Sequence, residues 1–74
     1  SLLAFLKEKK RKVQRDIFQI TQRYEIENAE SLEKEIEHEQ INEHPAWEDA
    51  VVLENLEDRL ISLENDIRTL QKSY

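Results

Sequence analysis

Residues 53–74 read LENLEDRLISLENDIRTLQKSY, and within them Leu53, Leu56, Leu60, Leu63, Ile67, Leu70 and Tyr74 recur at alternating steps of three and four. This is the heptad spacing of helices that wind around one another, sustained for about three heptads. Upstream, Trp47, Ala50 and Val51 extend an apolar face with some drift. Pro45 suits the first turn of a helix, where its missing amide hydrogen costs nothing and its φ is already set. His44 would then be the N-cap, a weak one. Glu48 and Asp49 fall where negative charge complements the helix dipole. The pattern predicts a helix over about 45–74.

Working outward, the first half repeats the seam with one fault. Leu3, Leu6, Lys10, Val13, Ile17, Ile20 and Tyr24 keep the three-four step, with Lys10 as the single polar member. A lone polar seam residue sets register or oligomer state at some cost in stability. After Tyr24 the register would require Glu27 and Ser31, and it fails. The stripe resumes at Leu32 and Ile36 through Asn28 or Ala29, as at a stutter. The expectation is one helix over about 2–41, soft near 28–31, with a helix break there as the alternative. A turn at about 42–44 completes a hairpin. Its arms would be about 60 Å and about 44 Å long. Val13 would lie opposite Tyr74, leaving residues 1–12 overhanging. A continuous rod of about 110 Å, kinked at Pro45, is the alternative to the hairpin.

Composition agrees with helices. The chain has 74 residues, no cysteine, no glycine and one proline; 38% of residues are charged and 38% hydrophobic. Without glycine there is no easy occupant for left-handed turn positions, which argues against β-hairpins and tight loops. No apolar run reaches the roughly 18–20 residues that span a bilayer. Absence of cysteine removes disulfides and thiolate metal sites and leaves the redox compartment open, an intracellular (cytoplasmic or nuclear) location being the favoured reading. The start at Ser1 and the lack of methionine point to a single coiled-coil module cut from a larger protein. A core this small supplies only about 3–5 kcal/mol. The expected fold is therefore all-α: a long helical hairpin or coiled coil, antiparallel, assembling into a dimer or four-helix-bundle-like oligomer.

Charge is segregated along the chain. Residues 1–24 carry a net +5, residues 25–58 a net −12 and residues 59–74 a net +1, within a total of −6. Like charges four apart, such as Glu33/Glu37, Glu35/Glu39 and Glu39/Glu43, weaken a helix by roughly a few tenths of a kcal/mol each. A basic mate would relieve this repulsion, and the candidate electrostatic contacts are Lys9, Lys10, Arg11 and Lys12 of a second copy. This tetrad also has the look of a short nuclear-import or anion-binding cluster. With the overall charge negative and no Asn or Ala at base-reading positions, nucleic-acid binding is not expected.

Catalytic patterns are missing. His38 and His44 stand six apart, not the four of a zinc-peptidase helix. Glu35-x-x-His38 has di-iron spacing, and Glu54 or Glu57 could be proposed as co-ligands, but Leu32 and Ile36 own the inward face, so this remains a remote alternative. No Gly-rich phosphate loop and no concave pocket is foreseen. No enzyme activity, cofactor, metal ligand or catalytic residue is expected. The expected role is a structural scaffold for oligomerisation or protein–protein docking. Its packing seam comprises Leu3, Leu6, Val13, Ile17, Ile20, Tyr24, Leu32, Ile36, Leu53, Leu56, Leu60, Leu63, Ile67 and Leu70. The alternative is a recruitment domain that binds a globular partner, such as a small GTPase, through Ile41, Trp47 and Val51. Trp47 would otherwise cap the turn against Ile41 and Ile36. Phe5 and Phe18 fall beside the seam: partly exposed in two helices, buried in a larger bundle.

Overall fold

A computed structural model describes residues 1–73. Among these the chain is all helical: α1 (Leu2–Tyr24), α2 (Ala29–Glu37) and α3 (Glu43–Lys72). The Ser1 hydroxyl oxygen accepts from the Ala4 amide at 3.2 Å and caps the start of α1. Asn28 does the same for α2, its Oδ1 accepting from the Ser31 amide at 2.9 Å. Within α3, His44 is extended (φ −115°, ψ 121°), so regular helical geometry begins at Pro45.

The single helix expected over 2–41 is interrupted at residues 25–28 and ends early, at Glu37. Both ends are closed in the same way. Glu25 takes left-handed backbone (φ 54°) and the Ile26 amide donates to the Thr21 carbonyl at 3.1 Å. Glu39 repeats this (φ 57°), with the Gln40 amide donating to the Glu35 carbonyl at 3.0 Å. These are Schellman closures with glutamate where glycine is usual. The inference from absent glycine is thus corrected: the hydrogen bonds and packing gained at each turn outweigh a left-handed penalty of about 1–2 kcal/mol.

The break changes the register of the whole fold. Both α1 and α2 run antiparallel to α3, but α2 starts beside Glu57 although α1 has already reached Asp49. The chain steps back along α3 at residues 25–28, and the acidic end becomes three helices thick. The step also draws the first arm inward. Lys10 meets Glu64, and Val13 lies beside Leu56 and Arg59 rather than at the far end. Tyr74 itself is outside the described residues. Residues 1–12 do not overhang: Leu2 and Leu6 lie against Asp66, Thr69 and Leu70. The rod measures 50 × 16 × 16 Å, which replaces both the arm of about 60 Å and the continuous rod.

Small residues allow the close approach of α2. Leu32 is fully enclosed against Ala46 and Ala50, with Tyr24, Ile26, Ile36 and Ile41 around it. Leu53, also fully enclosed, packs with Ile20 and Ala29, and again with Tyr24 and Ile26. Tyr24 and Ile26 therefore join the two clusters. Toward the other end, Val13, Leu63 and Ile67 are buried and Leu6, Leu60 and Leu70 half-buried. Among the described residues, every apolar seam residue named from the sequence is buried or half-buried within the single chain.

Candidate functional site

Three polar groups fix the geometry at the thick end. The Tyr24 hydroxyl donates to the Asp49 carboxylate, and Arg23 Nη1 donates to the same oxygen, Oδ2, at 3.2 Å. Burial, followed by the Asp49 hydrogen bond, raises the Tyr24 phenol above its ordinary value. Part of the acidic block is thus neutralised within the chain, by Arg23. The opposite holds across α2 and α3, where the Glu33 carboxyl is pushed up by burial and then by Glu54.

Two surfaces remain uncovered. The first is the outward side of α3. Trp47, Val51, Glu54, Asp58 and Ile61 are spaced four, three, four and three apart and are all exposed. That spacing places them on one helical face. Trp47 is 51% exposed and borders a hollow that includes Ile36, Ile41 and Glu37. Of the candidate recruitment residues, Trp47 and Val51 are therefore open to contact and Ile41 is half-buried. Trp47 does not close the end of the fold as a packed cap.

The second surface is a groove between α1 and α3. At one end it is apolar, lined by Leu2, Leu6 and Leu70 with Asp66. Further along it is lined by Lys9, Lys12, Asp16, Val13, Leu56 and Arg59. Leu2, Lys9 and Asp16 are each seven apart, as are Arg59, Asp66 and Ser73, so the two hollows follow one flank of the helix pair. No residue of α2 lines either hollow. Lys9 lies over the Phe5 ring, 5.0 Å from its centre.

The basic tetrad is divided by the fold. Lys10 Nζ pairs with Glu64 Oε2 at 3.4 Å, and Arg11 makes a two-pronged bond to Glu8 at 2.7 and 3.0 Å. That bond lowers the Glu8 carboxyl and raises the Arg11 guanidinium. Lys9 and Lys12 are left to line the groove. The carboxylates considered for a di-iron bundle are not brought together: Glu57 binds the Ala29 amide and His38 is exposed. No group of three or more His, Cys, Asp or Glu side chains among the described residues is placed to hold a metal. No helix among them is long and apolar enough to cross a membrane.

Sequence reasoning singled out Trp47 and Val51 but did not join them to Glu54, Asp58 and Ile61 as one stripe, because the heptad phase assigned that helix a single apolar face. The stripe was present as a second three-four series, offset from the first. Asp49 and Glu57 were also passed over as contacts, since nothing in spacing alone distinguishes them from other acids.

No curated protein and no solved structure matches the chain. One family does, over residues 1–74, and on that full-length match this protein belongs to the Uncharacterized protein MJ0235 family.

Proposed function

We propose that this protein is a helical interaction module, working by association with other helices, either further copies of itself or a second helical protein, and carrying no chemistry of its own. The observation that carries the reading is a disproportion. Leu32 and Leu53 are the large side chains that are fully enclosed, while Leu2, Phe5, Phe18, Trp47, Val51, Val52 and Ile61 stay 47–61% exposed. Scattered exposed apolar residues are ordinary. Here Trp47, Val51 and Ile61 share one helical face and Leu2 borders the groove, which is the pattern of an interaction surface.

The test is sedimentation and light scattering of the purified chain over a wide concentration range. The expected result is a reversible rise in mass above the 8.9 kDa of one chain. A cooperatively melting monomer at every concentration would overturn self-association and leave only a second helical protein as the partner.

A second reading has its own support. The hollow beside Trp47, bordered by Ile36 and Ile41, suits recruitment of a separate globular partner such as a small GTPase. Trp47→Ala separates the two. Unchanged self-association with loss of a partner favours recruitment, and loss of self-association favours the module.

A further inference from the structure

The two uncovered surfaces complement each other in order, sign and length. Along α3 the outward stripe runs apolar, acidic, apolar: Trp47 and Val51, then Glu54 and Asp58, then Ile61. The groove runs apolar, basic, apolar, with an acid toward each end: Leu2, Leu6 and Leu70 beside Asp66, then Lys9, Lys12 and Arg59, then Leu56 beside Asp16. Trp47 to Ile61 is fourteen residues, as is Leu70 to Leu56, about 21 Å in each case.

We infer that the groove between α1 and α3 receives the outward α3 stripe of a second copy of this chain. The inference rests on the interaction-module reading and names its partner. Orientation follows from the charges. With Trp47 in the Leu2/Leu6/Leu70 hollow, Glu54 lies level with Lys9, Asp58 with Arg59 and near Lys12, where two cations outnumber the single acid Asp16, and Ile61 with Leu56. Reversed, Asp58 would come level with Asp66 and Trp47 with Asp16. The incoming α3 therefore runs antiparallel to the α3 that receives it. Lys10 and Arg11 are already paired with Glu64 and Glu8, which leaves Lys9, Lys12 and Arg59 as the cations for the incoming acids.

Groove and stripe are different surfaces, so the contact is heterologous. A pair leaves the groove of one copy and the stripe of the other unused, and because each contact reverses α3, assembly past two chains extends as an open array. An acidic helix of another protein is the competing occupant, and the test separates it from a second copy.

Two double variants probe the pairing: Lys12→Glu/Arg59→Glu in the groove and Glu54→Lys/Asp58→Lys on the stripe. All four positions are exposed, and circular dichroism verifies that each variant folds. Sedimentation velocity at low salt, where charge pairing is least screened, should show wild type growing past a dimer and each double variant at least about tenfold weaker. An equimolar mixture of the two should assemble again, and so should the chain carrying all four substitutions, because acidic grooves then meet basic stripes. If Glu54→Lys interferes through its neighbour Glu33, Asp58→Lys alone reads the same face. Assembly that survives the stripe variant, or a mixture that stays apart, removes the pairing while leaving the module reading intact. A single-chain mass for wild type at every concentration removes the second copy as occupant, and with it self-association, and leaves the acidic helix of another protein.

Discussion

The backbone amide of Ala29 donates to Glu57 Oε2 at 2.9 Å, so a side chain of α3 caps the first turn of α2. The opening amides of a helix have no partner inside it, and a carboxylate there also meets the positive end of the dipole. Asn28 satisfies the Ser31 amide from within the turn; Glu57 satisfies its neighbour from across the interface. This bond fixes how far the chain steps back after α1. Glu57→Ala should cost about 1 kcal/mol, seen as a lower urea midpoint. Hydrogen exchange should quicken at Ala29–Leu32 while the amides of α1 between Val13 and Ile20 keep their protection. Uniform loss across both helices would show that Glu57 is not a local cap.

Glu25 and Glu39 hold left-handed backbone that glycine would hold without a side-chain penalty. Glu25→Gly should therefore stabilise the chain by about 0.5–1 kcal/mol, less than the full left-handed penalty because glycine also loosens the unfolded chain. Glu25→Ala should give no such gain. A thermal melt of the three proteins decides this, and a glycine variant that melts lower would place Glu25 in another conformation.

These turns mark the limit of what spacing could reveal. Leu53 to Leu70 and Leu3 to Tyr24 announced two helices because a periodic apolar stripe is a local property, readable without the partner. The failure of the stripe at Glu27 and Ser31 announced trouble, but a stutter and a break look alike when no glycine marks the stop. The outcome depended on tertiary contacts: Ala46 and Ala50 leave room for Leu32, and Glu57 reaches Ala29 from across the interface. The same holds for the candidate surfaces. Trp47 and the basic tetrad stood out by residue type. That Lys10 and Arg11 are consumed by Glu64 and Glu8, while Lys9 and Lys12 face a groove, follows only from register.

The Tyr24 phenol, raised by burial and by Asp49, gives the fold an alkaline limit. Its folded value lies above the ordinary value of 10.0, so its contribution is complete below pH 10 and is lost as pH rises through the folded value. Wild type should lose stability in that window. Tyr24→Phe should start lower, by about 1 kcal/mol for the missing hydrogen bond, and lose less on the way up. Urea midpoints at neutral pH and above pH 10 test this, and parallel losses in both proteins would assign the alkaline limit to other groups.

Glu33 acts at the acid side. Its folded carboxyl lies above the ordinary 4.5, through burial first and then Glu54, Glu30 and Glu37. The proton is thus bound more tightly in the folded chain, and stability rises as pH falls through the raised value, the gain being complete below 4.5. Glu8, lowered by Arg11, pulls the other way at lower pH. Glu33→Gln isolates the first effect: at neutral pH it should melt higher than wild type, and the difference should shrink as pH falls toward 4.5. A difference that does not change with pH would mean that packing, not charge, sets it.

Leu53 and Trp47 sit six residues apart on α3 and should answer oppositely to the same truncation. Leu53 is fully enclosed and touches α1 and α2 through Ile20 and Ala29. Removing its methyl groups should cost about 2–5 kcal/mol, comparable with the whole stability of about 3–5 kcal/mol available to a chain of this size. Leu53→Ala is therefore expected to be largely unfolded at room temperature. Trp47, half-exposed on the outward face, should cost about 1 kcal/mol or less on truncation, leaving helical content intact while association weakens. The two readouts are circular dichroism in urea for folding and sedimentation for assembly. A cooperative melt retained by Leu53→Ala would mean that α2 does not pack where Leu53 requires it. A Trp47→Ala chain that unfolds would move this tryptophan from the surface into the core.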